Sequence, residues 1–286
     1  MKKSGFVTLV GRSNVGKSTL LNALVGTKVA IVTPKPQTTR RPVRGMLNDA
    51  RGQIVFVDTP GIFQKKDALS LRLNKSVHEQ LEGVEAIVYV VDPTREPGQE
   101  EQDIQAILKR TEVPIVLAIN KSDLPEEELP ALMHARMIDI GQRATLEISA
   151  VKRQNLNLLV DALFDLLPEG EPYYPDLQMT DMERREWLSE LIREKVFLRL
   201  DEELPYSVHV VVDEDELREN GVRHIAARIL TSELRYKKMI IGAQGSLIKR
   251  IGMDARKELE ASSGTKIYLE LEVEVDPEWQ KRFSVS

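Results

Sequence analysis

The first half of the chain alternates short apolar runs with stretches in which apolar residues recur every three or four positions. The runs predict β-strands and the spaced stretches predict amphipathic helices, and their alternation is typical of a parallel α/β sheet with helices on both faces. The predicted strands cover residues 6–10, 54–57, 86–91, 115–119 and 145–148, and the predicted helices cover residues 17–25 and 156–167.

The second half has a different pattern, in which helices and alternating strands follow the order α-β-β-α-α-β. Its predicted helices cover residues 182–200 and 246–261, with another just before residue 242, and its predicted strands cover residues 207–212, 223–232 and 266–275. The stretch between the halves is rich in proline, which blocks helix continuation. We therefore expect a first domain over residues 1–168, a linker with few contacts over residues 169–181, and an α+β domain over residues 182–286.

Composition restricts the class of protein. A chain of 286 residues is long enough for two domains with separate cores. It contains no cysteine, which excludes disulfides, thiolate metal sites and a cysteine nucleophile, and it has no apolar run that would span a bilayer. These features favour a cytoplasmic protein. The net charge of −5 disfavours general attraction to nucleic acid, so any RNA contact requires a local basic patch.

A glycine-rich motif follows the first predicted strand and opens the first predicted helix. Residues 11–18 read GRSNVGKS and fit G-x-x-x-x-G-K-[ST], in which backbone amides and a helix N-terminus surround phosphate oxygens. Lys17 brings positive charge to the outer phosphates, and Ser18 offers a hydroxyl to Mg²⁺. We expect nucleotide contacts from Gly11, Arg12, Ser13, Asn14, Val15, Gly16, Lys17, Ser18 and Thr19. The alternative is a plain glycine turn before a helix.

Two further segments have the chemistry of a magnesium and phosphate site. Asp58 ends a predicted strand in the sequence Asp-Thr-Pro-Gly, where its carboxylate can hold Mg²⁺ through water and the Gly61 amide can approach the terminal phosphate. The loop over residues 33–44 contains Thr38 and Thr39. A threonine there can complete the magnesium coordination only when the terminal phosphate is present, which predicts a switch.

The sequence Asn-Lys-Ser-Asp over residues 120–123 follows another predicted strand. Asp123 can accept two hydrogen bonds from the N1–H and exocyclic amine of guanine, a donor pair that adenine lacks. Lys121 can lie along the base and Asn120 can brace the loops, while Ser149 and Ala150 add backbone contacts to the guanine oxygen. The alternative is a polar helix cap.

In this order, the three motifs resemble those of translation-factor-like GTPases. Ile62 stands where Ras-like enzymes have a glutamine that positions water, so we expect slow intrinsic hydrolysis that depends on positioning and charge. The chain here resembles the cation-dependent GTPases, in which an asparagine at the position of Asn14 helps to hold K⁺ against the phosphates. The alternative is a plain loop asparagine. We expect Mg²⁺, and K⁺ as a second cation. The catalytic candidates are Lys17, Asn14, Thr39 and Gly61, and the magnesium ligands are Ser18, Thr39 and Asp58.

A second glycine motif lies in the C-terminal half. Residues 242–245 read GAQG and lie between basic segments, and residues 235–257 contain one acidic residue, Asp254. A G-x-x-G loop between two helices is the signature of a KH domain, whose loop presses on the RNA backbone while an apolar groove receives bases. Isoleucines 240, 241, 248 and 251 are the groove candidates. We expect RNA contacts from Lys237, Lys238, Ile241, Gly242, Ala243, Gln244, Gly245, Lys249 and Arg250. The alternative is a helix C-cap.

Together, a GTPase domain and a type II KH domain in this arrangement resemble the Era family of bacterial GTPases over nearly the whole chain. The resemblance implies a role in maturation of the small ribosomal subunit, in which the KH domain grips single-stranded RNA near the 3′ end of 16S rRNA. In relatives the switch threonine directly precedes an arginine, which favours Thr39 over Thr38. Ser13 departs from the family, which usually has proline at this position.

Other functions remain open at this stage. We expect a monomer. The rival function is a signalling switch whose second domain docks a protein or the inner face of the cell membrane, because the basic stretch over residues 235–257 also suits anionic lipid. A tRNA-modification GTPase is a third interpretation, but it requires a second catalytic module, and none is visible in the sequence.

Overall fold

The computed structural model describes residues 1–35, 38, 42–58 and 83–283. The chain divides into two compact units. The first contains Met1–Ala30 and Pro36–Asp181, and the second contains Ile31–Lys35 and Met182–Ser286. Within the described residues, no helix combines the length and apolarity needed to cross a membrane.

The first unit is a six-stranded sheet with helices, in the strand order β2-β3-β1-β4-β5-β6. Strand β2 pairs antiparallel with β3, and the other neighbours pair in parallel. The elements are β1 (Lys3–Val10), α1 (Lys17–Val25), β2 (Val43–Asp49), β3 (Gly52–Asp58), β4 (Ala86–Val91), α2 (Gln99–Leu108), β5 (Ile115–Ile119), α3 (Leu132–Arg136), β6 (Ala144–Glu147) and α4 (Leu156–Leu166). The predicted α/β class is confirmed.

The parallel strands explain where the polar motifs meet. Every residue of β4 and of β5 is buried, as expected for strands that are covered on both faces. Parallel strands direct their carboxyl ends to one edge of the sheet, which is where open α/β sheets bind ligands. The phosphate loop (residues 11–18) follows β1, Asp58 ends β3, and Asn120 follows β5, so all three reach that edge.

Strand β2 was not predicted, because its sequence is interrupted by Arg44, Asn48 and Asp49. The loop expected over residues 33–44 therefore ends before residue 44, because β2 begins at Val43. An edge strand with one exposed side tolerates such polar residues, since only its buried side must be apolar.

Residues 169–181 belong to the first unit and are not a linker with few contacts. The Gly170 N–H donates to the Lys2 carbonyl at 3.0 Å, and the Met46 N–H donates to the Met179 carbonyl at 3.0 Å. The buried side chain of Gln53 accepts the backbone N–H groups of Tyr173 and Tyr174. This expectation was wrong because proline prevents a helix but leaves extended chain free to pair with neighbouring backbone.

The second unit is an α+β domain whose sheet has the order β7-β8-β9. Strands β7 and β8 pair antiparallel, and β8 and β9 pair in parallel. The elements are α5 (Arg184–Arg199), β7 (Val208–Leu217), β8 (Arg223–Thr231), α6 (Leu234–Ile241), α7 (Ser246–Ser263), β9 (Ile267–Val275) and α8 (Trp279–Phe283). From α5 to β9 these elements confirm the predicted order α-β-β-α-α-β, and β7 continues past its predicted end across a bulge between Val212 and Glu214.

The short segment Ile31–Lys35 lies in the second unit and contacts α5. The Val32 N–H donates to Glu194 Oε2 at 2.9 Å. The Lys35 ammonium donates to the carbonyls of Phe197 and Leu200 at the end of α5, where the negative end of the helix dipole attracts cations. The sequence placed residues 33–35 in the switch loop but did not predict their contacts with α5, because each bond depends on where α5 lies in the fold.

Candidate functional site

The phosphate loop needs glycine at both ends for reasons of space and backbone angle. Gly11 has φ 154° and Gly16 has φ 101°. A Cβ on Gly11 would lie 2.3 Å from the Val90 carbonyl oxygen, and a Cβ on Gly16 would lie 2.3 Å from Asn120 Nδ2. Asn14 also has a positive φ, of 64°. The loop therefore takes a tight conformation, typical of loops that turn their amides inward.

Lys17 begins α1 and turns its side chain back onto the loop. Its ammonium donates to the carbonyls of Gly11 at 2.6 Å and Arg12 at 2.9 Å. Burial lowers the pKa of Lys17, while the nearby carboxylates of Asp58 and Glu100 oppose that shift. These bonds hold a partly desolvated cation against the loop, where its attraction for phosphate is only weakly screened.

Ser18 and Asp58 form the pair expected at a magnesium site. The Ser18 hydroxyl donates to Asp58 Oδ2 at 2.6 Å, and Asp58 is fully buried at the end of β3. Hydroxyl and carboxylate oxygens are ligands that suit Mg²⁺, so the residues present fit this ion. Thr38 is described and buried. Thr39, Gly61 and Ile62 lie outside the described residues.

The predicted base-reading residues come together with the phosphate loop. Asn120 donates from Nδ2 to the Val15 carbonyl at 2.9 Å and accepts the Ala150 N–H at 3.0 Å, so one side chain braces three loops. The Ser149 hydroxyl donates to Asp123 Oδ1 at 2.5 Å, which fixes the orientation of the carboxylate.

The alternative role of Asp123 as a helix cap is not supported. The next element is a 3₁₀ turn over Glu126–Glu128, and its cap position is Pro125. The carboxylate therefore has no helix N-terminus to cap here, and its orientation comes from the loop that follows β6.

Two acidic residues that no motif flagged contact the nucleotide loops. Asp92 Oδ2 accepts the Lys121 ammonium at 2.5 Å, and Glu101 forms an ion pair with Arg12 at 3.0 Å. Burial would raise the pKa of Asp92, but hydrogen bonds from Lys121 and Thr94 outweigh it, and the pKa lies below its ordinary value. The available signal was position, since Asp92 directly follows the buried run of β4.

In the second unit, the GAQG loop (residues 242–245) connects α6 and α7 and contains three residues with a positive φ. Gly242, Gln244 and Gly245 have φ values of 74°, 52° and 76°. The side chains of Ala243 and Gln244 are exposed, so the tip of the loop faces solvent.

The basic residues around this loop are accessible. Lys238, Lys249 and Arg250 are exposed and Lys237 is half-buried. Ile241 and Ile248 are half-buried, as a groove requires, but Ile240 and Ile251 are fully buried. The prediction that those last two line the groove was wrong, because they face the core between the helices and the sheet.

The fold and the site define a P-loop GTPase that carries a KH domain. Two family models match the corresponding parts of the chain: a 50S ribosome-binding GTPase over residues 6–121 and a KH domain over residues 203–280.

Full-length relatives narrow the class to one family. The chain is 41% identical over 280 residues to GTPase Era of Halothermothrix orenii, covering 98% of this chain and 95% of the relative. It is 42% identical over 282 residues to GTPase Era of Heliobacterium modesticaldum, covering 98% and 94%. The chain belongs to the Era family of GTPases.

Solved structures agree with this assignment. Aquifex aeolicus Era bound to GDP·AlF₄⁻ is 36% identical, with a TM-score of 0.85 over 98% of this chain and 96% of that one. A structure of Era in complex with MgGDPNP and nucleotides 1506–1542 of 16S ribosomal RNA is also 36% identical, with a TM-score of 0.85 over 99% and 97%. Magnesium thus accompanies the nucleotide in that relative.

Proposed function

We propose that this GTPase binds single-stranded RNA near the 3′ end of 16S rRNA and acts in assembly and maturation of the small ribosomal subunit. The GTP or GDP state then switches binding to RNA or to the ribosome. The observation that carries the proposal is the full-length likeness to an Era structure that holds both MgGDPNP and nucleotides 1506–1542 of 16S rRNA.

The nucleotide contacts follow from the first unit. Lys17 and the amides of the phosphate loop hold the phosphates, and Asp123 selects guanine. Ser18 and Asp58 hold Mg²⁺, with Thr39 completing the set when the terminal phosphate is bound. The ion neutralises charge on the phosphates. Gly61 presents its amide to the terminal phosphate. The full set of contacts is the one expected from the motifs, including Thr19, Asn120, Lys121, Ser149 and Ala150.

The RNA contacts follow from the second unit. The exposed GAQG loop allows the RNA backbone to approach closely, and Lys238, Lys249 and Arg250 supply exposed charge beside it. Half-buried Ile241 offers an apolar surface for a base. A KH groove receives splayed bases, so we expect single strands to bind better than duplexes.

Crosslinking RNA to the full-length protein with GTP and with GDP, followed by sequencing of the bound RNA, tests this function. We expect single-stranded sequence from the 3′ end of 16S rRNA, in an amount that depends on the nucleotide. Random RNA, or equal recovery in both states, would contradict the proposal.

We also propose a cytoplasmic monomer. Nucleotide-dependent sedimentation with anionic vesicles, without RNA recovery, would instead favour docking at the inner face of the cell membrane.

We also propose that K⁺ stimulates hydrolysis. Isoleucine at position 62 cannot orient water, and Asn14 takes a left-handed backbone conformation inside the phosphate loop. Turnover should be higher in potassium than in sodium salts at matched ionic strength. Asn14→Ala should remove that difference while keeping GDP binding. Equal rates in the two salts would rule out the potassium effect without affecting the GTPase assignment.

A further inference from the structure

The stretch from the end of β4 into the first turn of α2 supplies two carboxylates to the nucleotide loops. Asp92 bonds Lys121 of the base-reading motif, and Glu101 bonds Arg12 of the phosphate loop. Neither carboxylate lies in a nucleotide motif. Both belong to one short stretch of chain, residues 92–101, at the edge of the sheet where the nucleotide loops meet.

Asp92 holds the far end of the Lys121 side chain. Its side chain is 0% exposed, whereas that of Lys121 is 34% exposed. Asp92 Oδ1 accepts the Thr94 N–H at 3.0 Å and the Thr94 hydroxyl at 2.7 Å, so the carboxylate has a fixed orientation. Its Oδ2 receives the Lys121 ammonium at 2.5 Å. The Lys121 side chain is thereby anchored at its ammonium group. The backbone of Lys121 has a positive φ of 65°.

Glu101 makes a corresponding connection to the phosphate loop. Its Oε2 accepts the Gly98 N–H at 2.9 Å, which fixes the carboxylate at the start of α2. Arg12 meets both oxygens, through Nη1 at 3.1 Å and Nε at 3.0 Å. The two side chains are 14% and 9% exposed. The Nη1 contact is a hydrogen bond, whereas the Nε contact is a close approach of opposite charges, and little water screens either of them.

We infer that Asp92 and Glu101 are positioning residues of the nucleotide site: Asp92 keeps the Lys121 stem in place along the guanine face, and Glu101 fixes the phosphate loop through Arg12. The inference rests on the nucleotide contacts proposed above. Neither carboxylate touches the nucleotide. Each carboxylate restricts the side chain of its cation, Lys121 or Arg12, before the nucleotide binds. Less conformational entropy is then lost on binding, which is preorganisation.

The test is a double-mutant cycle on the full-length protein, read as the dissociation rate of a fluorescent GDP analogue. Asp92→Asn should speed dissociation about tenfold, within the range of coupling energies between contacting charged residues. In a Lys121→Met background the same change should have little further effect, because the lysine through which it acts is absent. Glu101→Gln should behave in the same way with and without Arg12→Met.

Controls separate positioning from general loss of structure. Glu96→Gln removes an exposed carboxylate from the same segment and should leave the rate unchanged. Asp92→Glu keeps the charge but displaces it by one methylene, so an intermediate rate is expected. If Asp92→Asn does not fold, Asp92→Glu replaces it in the double-mutant cycle. The melting temperature of every variant is measured to check that it is folded.

Two outcomes overturn the inference in different ways. Equal acceleration by Asp92→Asn in both backgrounds would show that Asp92 acts independently of Lys121. An unchanged rate for Lys121→Met alone would remove the proposed base contact, and the positioning role would fall with it.

Discussion

The phosphate loop and Gly245 of the GAQG loop use glycine under different conditions. In the phosphate loop, a Cβ on Gly11 or Gly16 would collide with backbone or with Asn120 at 2.3 Å. In the GAQG loop, a Cβ on Gly245 would meet nothing within 4 Å, although its φ is 76°. The phosphate loop needs glycine for space as well as backbone angle, and so does Gly242 at the start of the GAQG loop, where a Cβ would lie 2.8 Å from Leu247 Cβ. Gly245 needs glycine for backbone angle alone. An enclosed ligand site requires packed walls, whereas a surface that receives a polymer must stay open.

The positively charged side chains of the two loops also differ in their exposure to solvent. The Lys17 ammonium is buried and held by two backbone carbonyls. The cations beside the GAQG loop, Lys238, Lys249 and Arg250, are exposed to solvent. Exposed charges are screened by salt, and buried ones much less so. RNA binding should therefore weaken with salt much more steeply than guanine nucleotide binding.

The largest expected effect comes from Gly16→Ala, which breaks the enclosed loop. The added Cβ meets Asn120, and alanine is strained at a φ of 101°. We expect GDP affinity to fall about thousandfold, from overpacking together with left-handed strain. Isothermal titration measures it. Gly245→Ala is the matched control, and it should leave GDP affinity unchanged. Similar losses for both variants would contradict the contrast between the loops.

Asp123→Asn tests whether the enclosed site reads the base. Asparagine keeps the shape but replaces an acceptor with a donor, which suits the carbonyl that xanthine has in place of the guanine amine. We expect GTP affinity to fall about a hundredfold and XTP to become the preferred nucleotide. Competition binding with GTP and XTP measures the shift. If GTP binds the variant as well as it binds the original protein, Asp123 does not read the base.

The GAQG loop is tested by replacing Ala243 and Gln244 together with aspartate. Both side chains are exposed, so the core is untouched. Negative charge against the RNA backbone should weaken RNA binding about thirtyfold. GTP affinity and melting temperature should stay near those of the original protein. Ala243→Ser with Gln244→Asn serves as the uncharged control. Unchanged RNA affinity in the aspartate variant would mean that the loop is only a helix junction.

The smallest expected effect concerns a fragment of residues 1–181. Asn120 and Glu101, which brace the phosphate loop, lie within it, so its GDP affinity should stay within about threefold of the full-length value. A fragment of residues 1–167 lacks the extended chain that pairs with β1 and β2 and should melt about 5 °C lower. If the longer fragment folds but loses GDP, the second unit completes the nucleotide site.

Much of this protein could be read from residue order. The buried runs of β4 and β5 and the helix α1 were predicted with the bounds that the structure has, because an apolar run or a regular apolar spacing is a local signal. The chemistry of the phosphate loop, Asp58 and residues 120–123 was equally local, since each motif carries its own donors, acceptors and charge.

What depended on contacts between distant parts of the chain was decided by the tertiary structure alone. The polar edge strand β2 forms because β3 offers it a partner, and the stretch after Pro168 pairs with β1 and β2. Asp92 and Glu101 acquire their roles only when the ends of parallel strands bring them to Lys121 and Arg12. A local sequence pattern indicates which secondary structure a segment can form. The residues that the segment contacts depend on the packing of the whole domain, so they cannot be predicted from that segment alone.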